Sequence, residues 1–168
     1  MKKLTVNKEF FRRHLAVCLL MLGMGCWFGY DGFVAYPATP AAALYEKIEG
    51  SPPPEGYPLE AFKRQKIQSQ YGFTAFCLIA AALIGLHLAS VVAFRFEYDE
   101  TSFVWQWKKR QIADIKSVDR SKWKRKGIVT IALDDGERVK LDAWHHVGVK
   151  DFEKLLPVPK EEKCPSTS

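Results

Sequence analysis

Two ionisable side chains, Asp31 and His87, sit inside long apolar runs, Leu15 to Tyr36 and Tyr71 to Phe94. Ionisable groups in apolar surroundings are functional suspects, because placing them there costs free energy. If both runs are helices crossing a bilayer, Asp31 lies ~24 Å above the inner edge and His87 ~10 Å above it. That difference excludes a direct contact or a proton hand-off between them. Asp31, beside Gly32, reads as a residue of the outer interface. His87 reads as hydrogen-bonded to a partner helix or to a cofactor-bearing neighbour. Haem ligation is disfavoured, since the runs offer no second histidine.

Outside the runs, Asp142, His145, His146 and Asp151 form the one soluble group that could ligate a metal. Adjacent histidines on a strand point to opposite faces, so both could ligate only from a loop. A solvated strand-to-helix loop is the better reading, and no metal is expected. Between Lys108 and Lys126 nine basic residues face two acidic ones, a net of seven positive charges. Lys108, Lys109, Arg110, Lys122, Lys124, Arg125 and Lys126 are the candidate contacts, with Trp123 among them and Trp105 and Trp107 beside them. Each cation near an anionic membrane surface contributes about 1 kcal/mol, and tryptophan suits that interface. Nucleic acid is the disfavoured rival ligand, because a membrane tether already holds the patch at the bilayer. A solvated face that merely follows the charge rule for membrane proteins is the plain alternative. No phosphate-binding glycine loop, nucleophile elbow or carboxylate pair occurs, so no catalytic residue and no cofactor is expected.

The elements that must position these groups follow from periodicity. Each apolar run is long enough to cross a hydrocarbon core of roughly 30 Å. With 168 residues in all, what remains allows one small soluble domain, which leaves no room for an enzyme fold of ordinary size. Residues 1–14 are a basic head, either a surface helix with Phe10 and Phe11 in lipid or a disordered topogenic tail. Residues 15–36 are the first span. Gly25, Gly29 and Gly32 share one of its faces and allow close approach of the second span or of a partner subunit. Residues 37–70 form an outer helical hairpin. Pro37 ends the first helix, Thr39 caps the next one and Gly50 closes it. Residues 71–95 are the second span, with Ala82 and Gly85 as further packing positions. From residue 96 the period changes to alternation, giving five clear strands, one of them through Phe103, Trp105 and Trp107, a hairpin turn at Asp134-Asp135-Gly136, and a short helix from Phe152 to Leu156 capped by Asp151. Residues 158–168 read as a loose tail.

Charge sets the expected orientation. Residues 1–14 carry five basic side chains against one acidic, residues 37–70 four of each, and residues 95–168 sixteen against thirteen. The positive-inside rule places both termini in the cytoplasm, with Lys63, Arg64 and Lys66 as exceptions on the outer side. The four cysteines show no paired spacing, so neither a disulfide framework nor a zinc site is expected. Gly25-Cys26 hints at a lipoprotein cleavage site, but the apolar run continues beyond it, which favours an uncleaved anchor.

The segment Arg110-Gln-Ile-Ala-Asp-Ile-Lys-Ser-Val, the basic loop, Gly127-Ile-Val-Thr-Ile-Ala-Leu-Asp-Asp-Gly-Glu-Arg-Val-Lys-Leu-Asp and Asp151-Phe-Glu-Lys-Leu-Leu resemble the bacterial pleckstrin-homology-like domain. The resemblance covers residues 94–157 and implies a bent antiparallel sheet closed by a C-terminal helix, often preceded by a membrane anchor. The expected architecture is therefore an α+β membrane protein, with two transmembrane helices and a small antiparallel PH-like domain at residues 96–157. The expected location is the inner (plasma) membrane. Three functions compete. The first is a non-catalytic scaffold subunit packed against other membrane protein subunits or against its own copies. The second is a surface module for anionic lipid headgroups or a peptide. The third is a redox or transport accessory using His87.

Overall fold

The computed structural model describes residues 1–157, and the expected loose tail at 158–168 lies outside them. The chain is α+β, with two long apolar helices and small antiparallel sheets. It divides into two units, Arg13–Leu88 and the combination of Met1–Arg12 with the chain from Ala89 onward.

The first unit is a helical pair. Helix α1, Lys8–Tyr30, runs into a π-helical turn at Asp31–Ala35 and a last short helix, α2, Tyr36–Ala38. Pro37 has no N–H and its ring crowds the preceding turn. The wider π turn precedes it, with the Tyr36 N–H bonded to the Asp31 carbonyl. The helix therefore continues past the expected stop at Pro37 and ends at Thr39, whose backbone is extended. Thr39 does not cap the following helix: its hydroxyl turns back and donates to the Ala35 carbonyl at 2.8 Å. Helix α3, Ala41–Glu49, starts after Pro40 and closes at Gly50, whose φ of 72° is the left-handed cap expected of glycine. Helix α4 is continuous from Leu59 to Ala93. Leu44 is fully buried, and the rings of Tyr45, Tyr57 and Phe62 pack within 4.8–6.2 Å of one another. Lys63 donates to the carbonyls of Pro37 and Thr39 at 2.9 and 2.7 Å, satisfying acceptors that the end of the first helix leaves open. Lys66 reaches Glu49 at 3.8 Å and lies over the Phe62 ring.

The second unit is all antiparallel. Strands β1 (Lys2–Lys3), β3 (Phe96–Tyr98), β4 (Ser102–Trp105) and β5 (Lys108–Gln111) form a four-stranded sheet in the order β1-β3-β4-β5. Strands β6 (Ile115–Asp119), β7 (Ile128–Leu133) and β8 (Arg138–Asp142) form a second sheet. Strand β2 (Thr5–Val6) pairs with β9 (His146–Val147). One turn of helix, α5 (Trp123–Lys126), joins β6 to β7, and α6 (Val149–Glu153) follows β9. The alternation in β7 and β8 buries Val129, Ile131, Leu133, Val139 and Leu141 together with Phe96, Phe103 and Phe152.

Three expectations change here. The basic head is neither a surface helix nor a free tail over residues 2–6. Those residues form strands, Leu4 is 3 % exposed in the core, and Phe10 is buried against His145 and Trp144 instead of meeting lipid. The expected strand through Phe103, Trp105 and Trp107 stops at Trp105, because Gln106 and Trp107 adopt φ of 48° and 66° and reverse the chain. The last helix begins at Val149 after Gly148, whose φ of 98° suits glycine, so Asp151 lies within the helix instead of capping it.

Leu4 tests the role of the N-terminus. Leu4→Ala should destabilise the β unit by about 3 kcal/mol, the usual cost of a large-to-small change in a packed core. Denaturant unfolding followed by tryptophan fluorescence measures it. A change under about 0.5 kcal/mol, typical of surface positions, would show that residues 2–6 do not complete the core.

Candidate functional site

The basic stretch does not form one patch. Arg110 on β5 reaches across to the β7–β8 hairpin, where it meets Asp135 at 2.7 Å and Glu137. Its side chain is only 10 % exposed, and it lies over the Trp105 ring at 5.8 Å. Lys108 reaches Glu137 at 3.5 Å. Arg120 donates to Glu153 at 2.7 Å and to the carbonyls of Leu156 and Pro157, tying the end of β6 to the segment after α6. Three of the nine cations are therefore structural. Their acidic partners lie outside the basic stretch, which is why local charge counting missed them. Trp123, expected at a membrane interface, packs half-buried against the core. Lys109, Lys116, Lys122, Lys124, Arg125 and Lys126 remain exposed. The last four cluster on α5 and its first flanking residue, where Gly127 ends the turn with φ of 66°.

The candidate metal group does not converge. His145 Nδ1 faces Asp142 at 3.7 Å, and its ring packs on Phe10 at 4.5 Å. Asp151 pairs with Lys154 at 3.2 Å. His146 is buried, with Nε2 3.1 Å from the Val91 carbonyl. A carbonyl only accepts, so Nε2 carries the proton and the imidazole caps the last turn of α4. Among the described residues no group of three His, Cys, Asp or Glu side chains could hold a metal ion.

In the helical pair the glycine stripe faces α4. A Cβ on Gly25 would meet Leu78 at 3.1 Å, on Gly29 Thr74 at 3.6 Å, and on Gly32 Gln70 and Tyr71 at 3.0 Å. Gly85 has open space around it and Ala82 is exposed, so neither takes part in that contact. Asp31 accepts from Trp27 Nε1 at 3.0 Å. His87 has a histidine neighbour that the apolar runs did not contain: the ring of His14 lies 6.3 Å away. Hydropathy marks the first apolar run only from Leu15, which leaves His14 in the basic head, whereas the helix starts at Lys8. Cys18, Cys26 and Cys77 are free thiols.

Burial lowers the pKa of His146, against the opposing pull of the Val91 carbonyl and Asp142. Asp99 is held at about 2 by the Thr101 N–H, the Ser102 hydroxyl and the Ser102 N–H. The chain matches no family model, no curated protein and no solved structure at a significant level.

The two groups separate by pH. A histidine that is neutral when folded contributes stability above its ordinary value near 6.5, and that contribution is lost as pH falls through the ordinary value toward the lowered one. Between pH 7 and pH 5 the wild-type protein should lose more thermal stability than His146→Gln, which keeps a donor for Val91. Asp99 should matter only between about pH 4 and pH 2, where its depressed carboxylate takes up a proton. Melting curves of both proteins across that range test this, and parallel pH profiles from 7 to 5 would remove His146 as the source.

Proposed function

We propose that the chain is a two-pass protein of the inner (plasma) membrane, with both termini in the cytoplasm, that acts as a non-catalytic interaction subunit in a larger membrane assembly. The observation that carries this reading is the unburied apolar surface of the helical pair. In the most apolar windows of its two long helices only 11 % and 22 % of residues are buried, whereas the core helix of a soluble protein is mostly covered. Trp27, Phe33, Phe76, Leu83 and Leu86 are all more than 60 % exposed. Lipid or a partner helix is the environment that suits them.

Two further observations support the topology. The β1–β3 and β2–β9 pairings put residues 2–6 in one unit with the strands between residues 96 and 147, which supports two crossings with both ends on one side. The outer cations Lys63 and Lys66 have local partners in the helical pair, so their departure from the charge rule has a structural cause. The four- and three-stranded antiparallel sheets, followed by a short helix, support the PH-like reading of the β unit. In the second reading, this domain binds anionic lipid or an acidic peptide through Lys122, Lys124, Arg125 and Lys126, for which no salt bridge is found among the described residues.

Mild detergent extraction followed by native mass measurement discriminates the readings. The scaffold reading expects a defined assembly larger than the 19.2 kDa chain. A bare monomer whose binding to anionic vesicles vanishes on neutralising Lys122, Lys124, Arg125 and Lys126 would replace it with the second reading.

A further inference from the structure

A cavity of about 510 Å³ opens where the last turn of α4 meets β3, β4 and the β4–β5 turn. Ala93 and Phe94 form one wall, Arg95 and Glu97 another, and Trp107 stands in the β4–β5 turn. Phe96 and Tyr98 point into the core, so Arg95 and Glu97 alternate with them onto the outer face, about 7 Å apart. Their charges are opposite, and among the described residues neither has a salt-bridge partner. The Arg95 guanidinium is held 4.8 Å from the centre of the Trp107 ring. Trp107 itself is 80 % exposed and sits in left-handed backbone at φ of 66°, beside Gln106 at 48°. Asparagine and glycine adopt that turn at little cost, whereas tryptophan does not. The core gains nothing in return, since the ring faces solvent.

We propose that this cavity holds the headgroup of an ethanolamine phospholipid, with its phosphate on Arg95, its ammonium on Glu97 and Trp107 anchored beside it. The inference rests on the membrane reading above, in which the end of α4 lies where hydrocarbon gives way to headgroups, the level tryptophan favours. Charge selects the lipid. One cation and one anion on the same wall match a zwitterion whose phosphate and ammonium are joined by a two-carbon arm. An anionic glycerol headgroup would leave Glu97 facing negative charge without a partner. A choline headgroup has no N–H to donate to the carboxylate.

Native mass spectrometry of the full-length protein, released from mixed bilayers containing ethanolamine, choline and glycerol phospholipids, tests the assignment. Wild type should retain the ethanolamine lipid about tenfold over the other two, the scale of one charge-assisted hydrogen bond. Arg95→Gln should lose that retention by about the same factor. Glu97→Gln should keep phospholipid but lose the headgroup preference. Both positions are solvent-facing, and near-UV circular dichroism confirms that the variants fold. Equal retention of all three lipids by wild type, or retention unchanged in Arg95→Gln, overturns the assignment. Failure of the membrane reading looks different: the protein would stay dispersed without detergent and carry no phospholipid of any class.

Discussion

The antiparallel pairing that binds residues 2–6 to strands beyond the helical pair governs the rest of the structure. Lys2 and Lys3 pair with Tyr98 and Glu97, and Thr5 and Val6 pair with Val147 and His146. Between them the Leu4 N–H donates to the Phe96 carbonyl at 3.0 Å, while the Leu4 side chain enters the core. A β unit that takes strands from both flanks makes the helical pair an insertion between β2 and β3. Closing so long a loop carries an entropic cost that grows with its effective length. The helices shorten that length, because the two ends of the pair meet where His14 lies beside His87.

Electrostatics follows from the same folding-together of distant segments. A stretch that is strongly basic in sequence is divided by tertiary contacts into structural and exposed cations. Arg110 anchors β5 to the β7–β8 hairpin through two carboxylates, with its own side chain only 10 % exposed. Arg120 does the same for the chain after α6. What remains exposed is better defined: the cluster at Lys122 and α5, with Lys109 on β5 and Lys116 on β6. Lys63 shows the converse case, a cation placed where helix-end carbonyls need a donor.

Much of the chain was legible from local pattern. The two apolar runs, the left-handed cap at Gly50, the Asp134-Asp135-Gly136 turn and the buried alternation of β7 and β8 all depend on neighbours within a few residues. The Gly25, Gly29 and Gly32 face was legible as a stripe, but its occupant, Gln70 to Leu78 of α4, was not. The strand character of residues 2–6 was illegible, because two-residue strands carry no periodicity. Trp107 was misread because its alternation with Phe103 and Trp105 continues past the point where the backbone reverses.

The sequence by itself determined the α+β class, two helices long enough to cross a membrane, the positions of the main turns and most core residues of the strands. These follow from hydrophobic period and backbone preference, which are local properties. Only the tertiary structure decided that the N-terminus completes the β unit, that His14 joins His87, which cations are neutralised, and that Arg95, Glu97 and Trp107 share one cavity. All but the last of those outcomes join segments far apart in sequence, and the last needs the β4–β5 turn to fold back beside the end of α4. Their energies come from pairing, burial and charge contacts that exist only once the segments meet.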